Sequence, residues 1–301
     1  MRSNFKINAA LIISLAILMG VLLFNYVSYK EILNDRIIKT EQIRNDCLSD
    51  DNMNSDKKKF CESVLENDNK NGDFYTAFTE ILIFGFRNFA ILLFLFIVIP
   101  SLIYTSRYLK SKVIVNELTR TDYKKILKKY FLSSYKSVII LPIIIIIAFV
   151  LCYSLFDSFD YSYSIANSTI AWSEQTIKNP IIFMLLYLLN SIVHSFLYIN
   201  ISLCIVRKHH NFLVSAILSF LTFIGIEAIL ELLFNAIICT LILKTEVGII
   251  FNIMNILAFN DLLGIFSPLI VPTILLVLSF IILFVMYKDK EKLIIDCEAN
   301  V

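Results

Sequence analysis

An all-α, polytopic membrane protein with six transmembrane helices is the fold class this sequence predicts, and three observations predict it. The 301-residue chain is 58% hydrophobic and only 17% charged, far more apolar than a water-soluble domain. Its apolar residues fall into runs of about 20, the length a helix needs to cross a hydrocarbon core of about 30 Å. Those runs are continuously apolar instead of alternating every second residue, which excludes a transmembrane barrel.

The six spans run from about Ile7 to Tyr29, Ile81 to Tyr104, Val138 to Phe156, Ile181 to Val206, Phe212 to Leu233 and Pro268 to Tyr287. Together they form one membrane domain covering the whole chain. The opening MRSNFK and its apolar run have the charge of a secretory signal, but no small-residue cleavage pattern follows, so the run is read as a retained anchor. Asn179-Pro180 and Ser267-Pro268 place a capping side chain before a proline suited to a first helical turn, marking the starts of spans four and six.

Lysine and arginine gather on one side of this arrangement: Arg2 and Lys6, the nine basic residues from Arg107 to Lys136, Arg207 and Lys208, and Lys288, Lys290 and Lys292. The positive-inside rule makes that side cytoplasmic and puts both termini there. The opposite side receives the loop from Tyr153 to Asn179 and the nearly uncharged stretch from Lys244 to Ser267. The loop from 30 to 78, with Lys57-Lys58-Lys59 among more numerous acids, is long enough to constrain orientation only weakly. It carries Cys47 and Cys61, for which a disulfide and two free thiols are both open. Cys152, Cys204, Cys239 and Cys297 lack metal-ligand spacing and are read as membrane-core or tail residues, so no metal site is expected.

The basic segment from 106 to 136, between spans two and three, carries the most specific local pattern. Tyr123, Ile126, Leu127, Tyr130 and Phe131 recur at the spacing of one helix face, and Lys124, Lys125, Lys128 and Lys129 fill the opposite one. Thr121-Asp122 offers an N-cap and a negative first turn. Two readings stand for this amphipathic helix. It lies in the headgroup layer with its lysines on anionic membrane lipids, or it docks a cytosolic protein.

Leu118-Thr119-Arg120 followed by Lys124-Lys125-Ile126-Leu127 resembles the segment before the third span of the ABC-2 family of ABC transporter permeases, as do the six spans and the sizeable outer loop after the first. Lys110-Ser111-Lys112 stands where that family often has Gly-Thr, and Thr121 replaces its proline. The resemblance implies a permease subunit whose coupling helix, with Thr119, Arg120, Thr121, Asp122, Lys124, Lys125 and Lys128, seats in a cytosolic ABC ATPase. It also implies a second permease chain, identical or different, in a bacterial cell membrane. The cargo would be hydrophobic or amphipathic, such as a lipid, a drug or an antimicrobial peptide. No G-x-x-x-x-G-K-[ST] loop occurs around any of the glycines, so no cofactor is assigned to this chain, and ATP and Mg²⁺ would be bound by the partner. No nucleic-acid partner is expected. Nor is the chain read as an enzyme, since H-E-x-x-H, G-x-S-x-G and paired intramembrane aspartates are all absent. The alternative function is a non-transporting sensor or immunity protein that binds a ligand through the outer loop.

Polar residues inside the spans are the candidate cavity lining, because an ionised group in hydrocarbon is costly unless it faces protein or water. Glu227, Glu231 and Asn235 are spaced by four on span five; they either cap it at the outer surface or line an outward cavity. Asn190 and His194 form a similar stripe on span four, with His194 either hydrogen-bonded between helices or relaying protons. Arg87, at the start of span two, either snorkels to headgroups or pairs with Glu227 or Glu231. Beyond span five, 236–243 and 247–258 are too short to cross and read as separate re-entrant or interfacial pieces.

Overall fold

The computed structural model describes residues 2–49, 72–86, 89–110, 113–118, 120–159, 178–245, 257 and 266–299, and these residues form helices with no strand among them. Ten α-helices occur among the described residues: α1 Arg2–Ser49, α2 Phe74–Phe78, α3 Ala90–Lys110, α4 Val113–Leu118, α5 Tyr123–Ser134, α6 Ile140–Phe156, α7 Pro180–Lys208, α8 Phe212–Ile229, α9 Ser267–Tyr287 and α10 Lys290–Ala299. Six helical stretches among the described residues are long and apolar enough to cross a membrane: Asn8–Leu48, Leu92–Lys110, Tyr123–Phe156, Pro180–Lys208, Phe212–Ile242 and Ser267–Tyr287. Many of their large side chains, Phe24, Leu185, Leu213, Leu232 and Phe284 among them, are exposed. A surface this apolar is stable against lipid tails and prone to aggregate in water.

Several boundaries differ from the sequence reading. The first helix does not stop near Tyr29 but runs on to Ser49, because Lys30 to Ser49 contains neither proline nor glycine to end it. Cys47, near its end, is disulfide-bonded, while Cys61, its candidate partner, lies outside the described residues. The second span begins after a break, since Phe74–Phe78 and the π-helical turn Thr79–Phe84 form a separate buried element. The third is continuous with the amphipathic segment, joined through the 3₁₀ turn Tyr135–Ile139. The fifth continues as a π-helix over Leu230–Ile242, so the piece at 236–243 is the end of that span and not a separate element.

Asn179 caps α7 as expected, accepting from the Ile182 amide at 3.3 Å, whereas Ser267 is the first helical residue of α9 and Phe266 takes the cap position. Asn211 caps α8, accepting from the Leu213 amide at 3.0 Å. The basic tail after span six is not extended: Asp289 accepts from the amides of Glu291 and Lys292 at 3.0 and 3.3 Å, starting α10, which buries Leu293 and Cys297.

The chain forms two compact units: Met1–Met19 with Arg87–Ile147 and Ala171–Val301, and Gly20–Phe86 with Ala148–Ile170. The second unit has an aromatic core. Phe74 meets Phe149 at 4.8 Å and Phe159 at 5.0 Å between ring centroids, and Asp73 starts α2 by accepting from the Thr76 amide at 2.7 Å. Asn25 donates to the Ile81 carbonyl at 3.2 Å, across the turn holding Gly85. A Cβ at Gly85 would collide with the Asn25 amide and with the Ile81 carbonyl, a backbone atom unable to swing away. Gly85→Ala is therefore expected to destabilise the protein by about 1–2 kcal/mol, read as a lowered unfolding midpoint in detergent.

In the first unit α7 is central, packing against α3, α8 and α9. Phe94 on α3, Tyr198 on α7 and Phe223 on α8 form a triangle with centroids 4.9 to 5.1 Å apart, the offset and edge geometries that aromatic quadrupoles favour. Polar groups tie the same helices together. Tyr135 donates to Asn200 Oδ1 at 2.7 Å, and Asn200 donates to Ser279 Oγ at 2.8 Å. This chain joins the 3₁₀ turn to α7 and α9, and it satisfies an amide that would be costly in hydrocarbon.

Candidate functional site

The basic segment forms a helix–turn–helix element. At the turn the amides of Arg120 and Thr121 donate to the Glu117 carbonyl at 3.0 and 2.9 Å. Asp122 takes the N-cap position of α5 but makes no side-chain capping bond, so only its charge favours the first turn. Glu117 closes the element: Lys129 donates to it at 2.6 Å, and the Tyr108 hydroxyl donates to its other oxygen.

The two faces of α5 do different things. Arg120, Thr121, Asp122, Lys124, Lys125 and Lys128 are exposed, and the three lysines form no ion pair with any described residue. Beside them lies a polar groove of about 650 Å³ lined by Glu117, Arg120, Thr121, Lys125 and Lys129. Thr119, expected in the same set, lies outside the described residues. On the opposite face Ile126 and Tyr130 are buried. The predicted apolar face thus packs against protein, with Tyr123, Leu127 and Phe131 half-buried at its margins.

Tyr130 is the centre of that packing, with ring centroids of Tyr104, Tyr108 and Tyr287 between 5.6 and 6.1 Å away. Tyr287 donates to the Leu203 carbonyl at 3.1 Å, so its oxygen accepts from Tyr130, 3.2 Å away. Tyr123 donates to the Tyr287 carbonyl at 2.6 Å. Arg207, 4% exposed, stands 5.0 Å over the Tyr287 ring and bonds Asp296 at 3.2 Å. Through these contacts α5 is joined to α3, α7, α9 and α10, and any displacement of α5 bears on all four.

Burial pushes the Glu117 carboxyl up, but hydrogen bonds from Lys129 and Tyr108 and the Lys129 charge outweigh it, leaving the group below its ordinary value of 4.5. A carboxyl lowered on folding stabilises the fold above its unfolded value, and that contribution is lost as pH falls through the folded value. The unfolding midpoint of the native protein should therefore exceed that of Glu117→Gln at neutral pH. The difference should shrink as the pH drops below about 4.5, as thermal unfolding of both proteins across a pH series would read.

The candidate cavity residues that are described lie on α7, on α8 and on its π-helical extension. Asn190 and His194 are buried on α7, and His194 Nδ1 lies 2.9 Å from the Asn190 carbonyl of its own helix. Glu227 is buried on α8. Glu231 and Asn235 sit in the π-helical extension, where Asn235 donates to Glu231 at 2.8 Å and the other Glu231 oxygen is buried without a hydrogen-bond partner. Arg87, for which snorkelling and a pairing to Glu227 or Glu231 were both open, lies outside the described residues. No group of three or more His, Cys, Asp or Glu that could hold a metal occurs among the described residues.

Sequence reasoning missed Arg207, Tyr287, Asp296 and Asn200. Arg207 was counted only as a basic residue at a span's end. Asn200 carried a usable signal, being an amide inside an apolar run. No family model, characterised protein or solved structure matches the chain.

Proposed function

We propose that this chain is the membrane-spanning permease subunit of an ABC-2 type transporter, exporting a hydrophobic or amphipathic substrate under ATP hydrolysis by a separate cytosolic subunit. One observation carries the reading: a solvent-facing basic surface, Arg120 to Lys128, stands on a helix whose other face is locked into the membrane helices through Ile126 and Tyr130. Such an element takes a push on its exposed face and passes it on as a rigid-body shift. In this scheme the basic end of the bundle is cytoplasmic, and ATP and Mg²⁺ are held by the partner. A second permease chain completes the pore. Glu231 and Asn235, half-buried on span five, line the route toward the far side.

The test replaces Lys125 with a photo-crosslinking residue in the native host and identifies the adducts by mass spectrometry. A Walker-A-bearing ATPase is the expected product, and Lys124→Glu/Lys125→Glu/Lys128→Glu should abolish its co-purification while leaving the unfolding midpoint unchanged. A Thr121→Cys variant should resist membrane-impermeant maleimide in intact cells. Labelling there, or retention of function by the triple glutamate variant, would overturn the reading and favour a ligand-binding protein acting through its outer loop.

A further inference from the structure

A second basic site lies apart from the α5 surface. A groove of about 550 Å³ opens where α1, α3 and the start of α8 meet, with Arg107, Lys110 and His210 on its polar side and Ala9, Ile13 and Phe212 on its apolar side. Arg107 and Lys110 occupy the last turn of the span Leu92–Lys110, and Phe212 is the first residue of Phe212–Ile242. The groove is therefore at the level where hydrocarbon gives way to headgroups. His210 is only 2% exposed, and its Nε2 lies 3.0 Å from the Arg207 carbonyl, which assigns the donor proton to that nitrogen. Nδ1 is buried with no hydrogen-bond partner, an arrangement that calls for a ligand group at the groove.

We propose that this groove binds an anionic phospholipid, its phosphate held by Arg107 and Lys110 beside His210 and one acyl chain lying along Ala9, Ile13 and Phe212. The charge is complementary: two cations converge on a pocket open to the membrane, and a guanidinium offers paired donors to phosphate oxygens. The small side chain of Ala9 leaves room for a methylene chain against α1. With the proton on Nε2, Nδ1 is an acceptor, which a glycerol hydroxyl of the phosphatidylglycerol headgroup would satisfy by donating to it. This site does not depend on the chain being a transporter.

The experiment uses the full chain, delipidated in a neutral maltoside and offered phosphatidylglycerol or phosphatidylcholine, with retained lipid counted by native mass spectrometry. The native protein should retain phosphatidylglycerol preferentially. Arg107→Gln/Lys110→Gln should weaken that retention by roughly thirtyfold, about 1 kcal/mol for each charge, while Lys124→Gln/Lys125→Gln leaves it unchanged. Ala9→Leu keeps every charge and fills the apolar side, so it should also weaken retention. It decides the matter should the charge variants fail to fold. Equal retention of the two lipids by the native protein, or undiminished phosphatidylglycerol in Ala9→Leu or the double glutamine variant, would overturn the proposal.

Discussion

Tyr130→Ala is expected to lower the stability of the folded protein in detergent by about 3–5 kcal/mol, the range for emptying a large aromatic from a packed core. Tyr130 is completely buried, so the substitution leaves a cavity that its neighbours fill only partly. It also removes ring contacts with Tyr104, Tyr108 and Tyr287, each worth about 0.5–1.5 kcal/mol beyond area alone. Tyr130→Phe separates the two contributions. It deletes only the donor to Tyr287, whose own bond to the Leu203 carbonyl survives, and should cost about 1 kcal/mol. Equal losses from the two variants would mean that the hydroxyl, and not the ring packing, holds α5 in place. Under the permease reading, Tyr130→Ala should also uncouple the partner's ATPase activity from transport at temperatures where the protein stays folded.

Asp296→Asn should cost about 2–3 kcal/mol, because it leaves Arg207 as a buried cation without its counter-charge. The side chains are 5% exposed for Arg207 and 41% for Asp296, so the cost falls on the arginine side. The carboxylate is partly screened by water, which places the value below that of a fully buried pair. Arg207 keeps its position over Tyr287, but its Nη1 already lacks a hydrogen-bond partner. The double variant Arg207→Met/Asp296→Asn should regain most of the loss, since a methionine fills the arginine stem's space with no charge to desolvate. Unfolding midpoints for the two single variants and the double variant give the coupling directly. A double variant as unstable as the sum of the singles would show that the residues act independently.

How much of this was legible beforehand depended on which physical signal each element carried. The six spans were, because every one is a long continuous apolar run. The two faces of α5 were too, since Ile126 and Tyr130 fall on the predicted stripe and Lys124, Lys125 and Lys128 on the other side. The helix of the first span outlasts its apolar run, because hydropathy marks where lipid stops and neither proline nor glycine occurs from Lys30 to Ser49. The π-helical end of α8 was misread as a separate piece, since its wider turn leaves no distinctive residue pattern. The buried role of Arg207 was hidden because a terminal arginine looks the same whether it faces headgroups or a tyrosine ring.

The sequence by itself determined that this chain is helical, lives in apolar surroundings and carries a basic amphipathic segment before its third span. Composition and periodicity are local properties, and they decide what each segment can bury. Only the tertiary structure decided that the apolar face of that segment is buried against Tyr104, Tyr108 and Tyr287, that α10 folds back to give Arg207 its counter-charge, and that Arg107, Lys110 and His210 border one groove. These partners lie far apart along the chain, and which distant side chains meet is settled by the packing of whole helices.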